Sequence, residues 1–231
     1  MIKAILWDVD GTLLDFKAAE KYAIRKCFSD FGLGICTDEM LARYSEINHR
    51  YWRKLEAGLV TKQQVLHGRF AEFFEKEGIA CDKVKEFNED YQVSLGDTFV
   101  YCAHGEELVK GLKGKIKQYG VTNGTEVAQR RKLKNSGLDQ ILDQVFISDV
   151  IGVEKPNKEF FAPVFEKLEN CQKDEIMIVG DSLTSDMQGG NNVGIICCWY
   201  NPNGQKNDKN LRIDYEITDL GQITEILKEH K

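Results

Sequence analysis

Short apolar runs, each closed by turn or polar residues, punctuate the chain at Ile2–Trp7, Ile116–Val121, Val145–Ile147, Ile176–Val179 and Ile195–Trp199, with a weaker one near Tyr215–Ile217. They are apolar throughout, not alternating, as expected of strands covered on both faces. Segments of helical length and period, Val127–Ser136, Lys158–Leu168 and Leu183–Asn192, separate the later runs. This alternation predicts an α/β fold, a Rossmann-like parallel sheet flanked by helices.

Between Phe16 and about Tyr91 the pattern changes. No strand-like run occurs, and the apolar spacing predicts helices over Ala18–Phe31, Glu39–Glu56, Lys62–Glu77 and Asp82–Leu95. Thr37 and Thr61 fit N-caps, and Gly32, Gly58 and Gly78 sit where helices stop. A helical module is therefore expected to be inserted after the first strand: residues 1–15 and 96–231 form the core and 16–95 the insert. Asn201–Asn210 is a polar loop rich in Asn and Gly.

Composition narrows the partners. Lys and Arg number 31 against 37 Asp and Glu, a net charge of −6. The basic residues are scattered, which argues against a nucleic-acid or membrane-surface partner. Ile2–Trp7 is too short for a signal peptide's apolar region or a membrane span, so the expectation is a cytoplasmic protein. The seven cysteines form an odd set with no zinc-ligand spacing and read as reduced thiols. Cys197-Cys198, inside an apolar run, reads as a pair of small core residues.

Candidate chemistry lies where apolar runs stop at polar residues: Asp8, Thr122 and Asp181. In an open parallel sheet, ligands bind outside the carboxyl ends of the strands, so these residues are expected to converge. In Asp8-Val9-Asp10-Gly11-Thr12 one carboxylate could attack phosphorus and the other act as acid and base. The Asp-Gly pair alone also fits a hairpin turn, although Leu13 to Ala19 leads into helix. In Gly180-Asp181-Ser182-Leu183-Thr184-Ser185-Asp186, two acids at a strand-to-helix junction would crowd Asp8 unless a divalent cation, for which magnesium suits a phosphate site, lay among them. Thr184 or Ser185 also fits an N-cap, with Asp186 in the first turn. Thr122-Asn123-Gly124 can offer a hydroxyl and backbone N–H groups to phosphate oxygens. Lys155, before Pro156 at the expected first helical position, can reach Asp8 and a phosphoryl group.

The ordered set D-x-D-G-T, T-N-G, K-P and G-D-S-x-x-x-D resembles the haloacid dehalogenase-like superfamily. The resemblance implies Asp8 as nucleophile, Asp10 as acid and base, Thr122 and Lys155 on the phosphoryl group, and a helical cap over the substrate. It implies Mg2+ held by Asp8, the Asp10 carbonyl and Asp181, with Asp186 supporting directly or through water. Leu66-His67-Gly68-Arg69-Phe70, Asn48 with Trp52, Lys155-Pro156-Asn157-Lys158 and Cys198-Trp199-Tyr200-Asn201 look like the bacterial pyrimidine 5′-nucleotidase branch. That closer likeness implies nucleoside monophosphate substrates, with Phe16, Asn48, Trp52 and Arg69 as contacts. Trp52 and Phe70 also fit cap core, and Arg69 a surface ion pair. Gly11 and Asp15 depart from the branch's pattern but leave the chemistry intact. Competing expectations are a phosphatase of phosphoglycolate or sugar phosphates, a phosphomutase, a metal-independent dehalogenase and a phospho-acceptor signalling domain. The residues leave monomer and dimer equally open.

Overall fold

The computed structural model describes residues 1–80 and 82–229. Strand β1 (Ala4–Trp7) leads into four helices, α1 (Phe16–Asp30), α2 (Asp38–Glu56), α3 (Lys62–Glu77) and α4 (Val84–Asp97). After α5 (Gly105–Leu112) strands and helices alternate: β2 (Lys117–Thr122), α6 (Glu126–Ser136), α7 (Leu138–Ile141), β3 (Gln144–Ile147), α8 (Ser148–Ile151), α9 (Lys158–Lys167) and β4 (Ile176–Gly180). A single π turn (Leu183–Met187), α10 (Gln188–Val193), β5 (Ile196–Tyr200), β6 (Tyr215–Ile217) and α11 (Ile223–Glu229) complete the chain. The six strands form one sheet in the order β3-β2-β1-β4-β5-β6, every pair parallel. This is the expected Rossmann-like arrangement. The order reverses beside β1, which puts the crevice at its carboxyl end.

Successive side chains of a strand point to opposite faces, and both faces are covered. Ile5, Trp7, Met177, Val179, Cys198 and Tyr200 pack with residues of α5 and α11 on one side. Ala4, Leu6, Ile176, Ile178, Cys197 and Trp199 pack against Phe160, Phe161 and Val164 of α9 on the other. Cys197 and Cys198 are thus core residues of opposite faces. Cys81 lies outside the described residues.

The four inserted helices bury their own aromatic core. Phe70 stacks on Tyr44 at 5.1 Å and meets Phe87 and Tyr91 edge-on at 5.0 Å. Phe70→Ala is expected to cost about 3–5 kcal/mol. That corresponds to a melting temperature lower by roughly 6–20 °C for a chain of this size. Thermal unfolding checks this, and an unchanged midpoint would contradict the packing described. Thr37 and Thr61 cap α2 and α3 as expected, and Gly78 closes α3 in the left-handed region.

Three expectations are corrected. Leu183–Asn192 is not one α-helix: the amides of Asp186 and Met187 both donate to the Ser182 carbonyl at 3.0 Å, which widens the turn before α10 begins. Its N-cap is Ser182, whose hydroxyl accepts from the Ser185 amide, and not Thr184 or Ser185. Pro156 is not the first residue of α9, because Asn157 is still extended and the helix begins at Lys158.

The insert and the core join through paired strands of linker. The Asp15 amide donates to the Val100 carbonyl and the Cys102 amide to the Leu13 carbonyl. Helix α4 also lies against α6. A side chain at Gly96 would approach the Ala128 carbonyl to 2.8 Å, so the two backbones are in close contact there.

Candidate active site

Three neighbouring strands end at one point: β1 delivers Asp8, β2 delivers Thr122 and β4 is followed by Asp181. Lys155 enters from the loop before α9 and is buried, 1% exposed. Its ammonium donates to Asp8 Oδ1 at 2.9 Å, to Asp186 Oδ1 at 2.6 Å and to the Val121 carbonyl at 2.6 Å. The backbone that carries it is tied down. Asn123 Oδ1 accepts from the Lys155 amide at 2.8 Å, and Asn123 Nδ2 donates to the Lys155 carbonyl at 2.9 Å. The side chain of Asn123 is therefore spent on positioning Lys155, which leaves its backbone for other ligands. Thr122 Oγ1 accepts from the Gly124 amide at 3.1 Å, and this bond shapes the loop.

The wide turn after β4 explains how Asp186 arrives. Its Oδ2 accepts from the Ser182 amide at 3.1 Å while Oδ1 faces Lys155. Gly180 makes the space: a β-carbon there would lie 2.3 Å from the Asp186 carboxyl. A π turn inside a helix often marks a functional site, and here it aims a carboxylate back at Lys155. Gly11, at φ +93°, meets the same demand on the other side, since a β-carbon would lie 2.7 Å from Asp181 Oδ2.

Carboxylate oxygens of Asp8, Asp181 and Asp186 all lie within 4.8 Å of one another. Against one ammonium, three carboxylates leave the surplus negative charge that a divalent cation would offset. Burial, then the neighbouring Asp186, pushes the Asp8 carboxyl up to about 7, although Lys155 pulls the other way. Burial followed by Asp8 and Asp186 raises Asp181 well above the ordinary carboxyl range. Burial would lower the Lys155 ammonium, but Asp186 and Asp8 outweigh it and raise it. Hard oxygen donors at this spacing fit a magnesium ion.

Asp10 stands apart from that cluster. Its Oδ2 accepts from Gln129 Nε2 at 2.6 Å and its Oδ1 pairs with the Lys132 ammonium, both on α6. Thr12 donates to Asp8 Oδ2 at 3.2 Å and reaches Asp181 Oδ1 at 3.5 Å. Asp15 serves as the N-cap of α1, accepting from the Ala18 amide.

The four residues expected on the substrate separate into two groups. Asn48, Trp52 and Arg69 meet inside the helical insert: Asn48 Oδ1 accepts from Trp52 Nε1 at 3.0 Å and from Arg69 at 2.8 Å, while Asn48 Nδ2 donates to Glu20 Oε1. Arg69 is 1% exposed and lies 4.8 Å from the Phe70 ring centre, so it forms no surface ion pair. Burial raises the pKa of Glu20 despite hydrogen bonds from Ser45 and Asn48. Phe16 is elsewhere, its ring 5.8 Å from the Lys132 ammonium.

Two residues of the insert also touch the core. Glu56 at the end of α2 accepts from the Thr184 hydroxyl, and burial pushes its carboxyl up to about 7. Lys62 donates to Ser148 and Asp149 at 2.7 Å and lies 3.3 Å from Glu154. Neither stands in any motif, and Glu56 occupies a helix end that would read as solvated.

The family pattern of haloacid dehalogenase-like hydrolases matches residues 5–200. The HAD-hydrolase YfnB of Bacillus subtilis is 34% identical over 97% of this chain and 95% of its own length. Its magnesium-bound crystal structure, described as revealing interdomain movement, superposes with a TM-score of 0.92 over 98% of both chains. The pyrimidine 5′-nucleotidase PynA of Streptococcus pneumoniae is 31% identical over 99% of this chain and 96% of its own. The pyrimidine 5′-nucleotidase YjjG of Escherichia coli is 27% identical over 98% of each. The chain belongs to the haloacid dehalogenase-like hydrolase family. No helix among the described residues is long and apolar enough to cross a membrane.

Proposed function

We infer that this hydrolase is a magnesium-dependent phosphatase of small phosphate monoesters, acting on pyrimidine nucleoside monophosphates through a phosphoryl group carried on Asp8. The observation that carries the chemistry is Asp8 at the end of the central strand, held by Lys155 within 4.8 Å of Asp181 and Asp186 oxygens, with a second acid two residues on. The substrate class rests on likeness to PynA and YjjG, both named pyrimidine 5′-nucleotidases and both aligned over nearly the whole chain.

Hydrolysis of phosphate monoesters is among the slowest uncatalysed reactions, with enzymatic accelerations approaching ~10²¹. Little covalent chemistry is left to the protein beyond positioning and charge. An Asp8 oxygen bonds to phosphorus as the ester P–O bond breaks, and Asp10 gives its proton to the leaving oxygen. A water oxygen then bonds to phosphorus, its proton passes to Asp10, and the Asp8–phosphorus bond breaks to free phosphate. Lys155 holds Asp8 in line and faces the charge on the phosphoryl oxygens, to which the Thr122 hydroxyl and the Asn123 amide add donors, while the Gly124 amide is taken by Thr122 Oγ1. Asp8, the Asp10 carbonyl and Asp181 would hold magnesium. Asp186, whose two oxygens already accept from Lys155 and Ser182, would support it through water. Bound there, the ion supplies positive charge to the phosphoryl oxygens.

In this reading residues 1–15 and 96–231 carry the chemistry, and residues 16–95 close over the substrate and choose it through the half-buried Phe16 and Trp52, while the buried Asn48 and Arg69 hold Trp52 in place from inside the insert. Glu56 and Lys62 join the packing of α4 on α6 in seating the insert on the core.

Phosphate release across nucleoside monophosphates and sugar phosphates tests this. UMP, dUMP and dTMP are expected to lead in kcat/KM, with activity lost in EDTA and restored by Mg2+. Phosphoglycolate or a sugar phosphate ranking first would overturn the substrate class. Full activity in EDTA would overturn the metal.

A further inference from the structure

Helix α6 brings two polar side chains into the core. Gln129 and Lys132, three residues apart, are each 1% exposed and share the buried face with Ala128 and Leu133. Residues three apart on a helix are neighbours on its surface, and both converge on one target, the carboxyl of Asp10. Burying an ammonium and an amide is unfavourable unless each finds a partner. Asp10 is that partner for both.

Gly124 belongs to the same arrangement. A β-carbon there would lie 2.3 Å from Gln129 Nε2, so only glycine leaves room for the amide to reach Asp10. The other amide atom, Gln129 Oε1, is buried with no partner among the described residues. The amide thus has a spare acceptor beside the carboxyl. Nε2 holds one oxygen of the Asp10 carboxyl and the Lys132 ammonium the other, so its orientation is fixed from two sides. The Lys132 ammonium also lies 5.8 Å from the Phe16 ring, an aromatic face that steadies the cation.

We propose that Gln129 and Lys132 are positioning residues that hold the Asp10 carboxyl in line with the leaving-group oxygen, and that Gly124 is the space this cradle requires. This rests on the phosphatase reading, with Asp10 as the group that protonates the leaving oxygen. A displaced Asp10 penalises esters whose leaving group needs a proton and spares those that depart as stable anions.

The test compares kcat/KM for an alkyl ester, 2-glycerophosphate, with that for p-nitrophenyl phosphate, using Lys132→Met, Gln129→Met and Lys132→Arg with saturating Mg2+. The ratio kcat/KM covers phosphorylation of Asp8 and excludes the later water step. Both Met variants are expected to lose at least about tenfold on 2-glycerophosphate, a part of what general acid catalysis supplies. On p-nitrophenyl phosphate the loss is expected to stay within about threefold, and Lys132→Arg is expected to recover most of the alkyl-ester activity. Equal losses on both esters, or no loss on either, in either Met variant would overturn the proposal, as would a Lys132→Arg variant no better than Lys132→Met on 2-glycerophosphate. A wild-type protein that releases no phosphate from UMP, 2-glycerophosphate or p-nitrophenyl phosphate would overturn the phosphatase reading instead.

Discussion

Asp8→Asn is expected to abolish turnover, with a loss on the order of 10⁵-fold or more, as when the nucleophile of a covalent mechanism is removed. The amide is nearly isosteric and its oxygen can still accept from Lys155, whose ammonium now lies 2.9 Å from Asp8 Oδ1. The substitution also removes one negative charge from a buried cluster in which burial and Asp186 already disfavour the ionised form. The fold is therefore expected to persist, with a melting temperature no lower than that of the wild type. Loss of activity with an intact thermal transition separates a missing nucleophile from a collapsed site. Substantial magnesium-dependent phosphatase activity in the variant would end the assignment of Asp8.

Lys155→Met is expected to damage both stability and activity. Methionine fills a similar volume but leaves Asp8 and Asp186 facing one another without the cation that both accept from. Breaking a buried ion pair by removing one partner costs about 3–5 kcal/mol, or roughly 6–20 °C of melting temperature at this chain length. Catalysis is expected to fall by about 10³-fold, as when one electrostatic donor to a transition state is removed. Differential scanning calorimetry and steady-state kinetics read the two effects separately. A variant that melts like the wild type would show that Lys155 does not balance these carboxylates.

The core of the site was readable because its residues announce themselves by position. Asp8, Thr122 and Asp181 each follow an apolar run, and a parallel sheet brings the ends of such runs together. The helices of the insert were equally legible, since Thr37, Thr61 and Gly78 carry their own start and stop chemistry. Less legible was everything decided by tertiary packing. Gln129 and Lys132 sit in a helix of strongly polar composition, and a Gln and a Lys there read as solvated unless one notices that they fall in phase with Ala128 and Leu133. The wide turn at Leu183–Met187 has no composition of its own, because it follows from the demand that Asp186 reach both Ser182 and Lys155. Asn123 was expected to offer its backbone N–H to the phosphate, and what the sequence did not show is that its side chain fixes the Lys155 backbone. An amide after a strand offers its side chain and its backbone alike, and only the fold decides which is taken. Arg69 was expected on the substrate or in a surface ion pair, and its burial was not legible because its partners, Asn48 on α2 and Asn88 on α4, are distant in sequence.

The central claim is a phosphoryl group on Asp8, and mass spectrometry of the covalent adduct tests it most directly. Asp10→Asn, which lacks the base for the water step, is mixed with Mg2+ and p-nitrophenyl phosphate, whose leaving group needs no proton, then quenched in acid and digested. The account predicts the added mass of one phosphoryl group on the peptide containing Asp8, assigned to that side chain by fragmentation. Phosphate released with no adduct on Asp8, or an adduct carried by another residue, would contradict it.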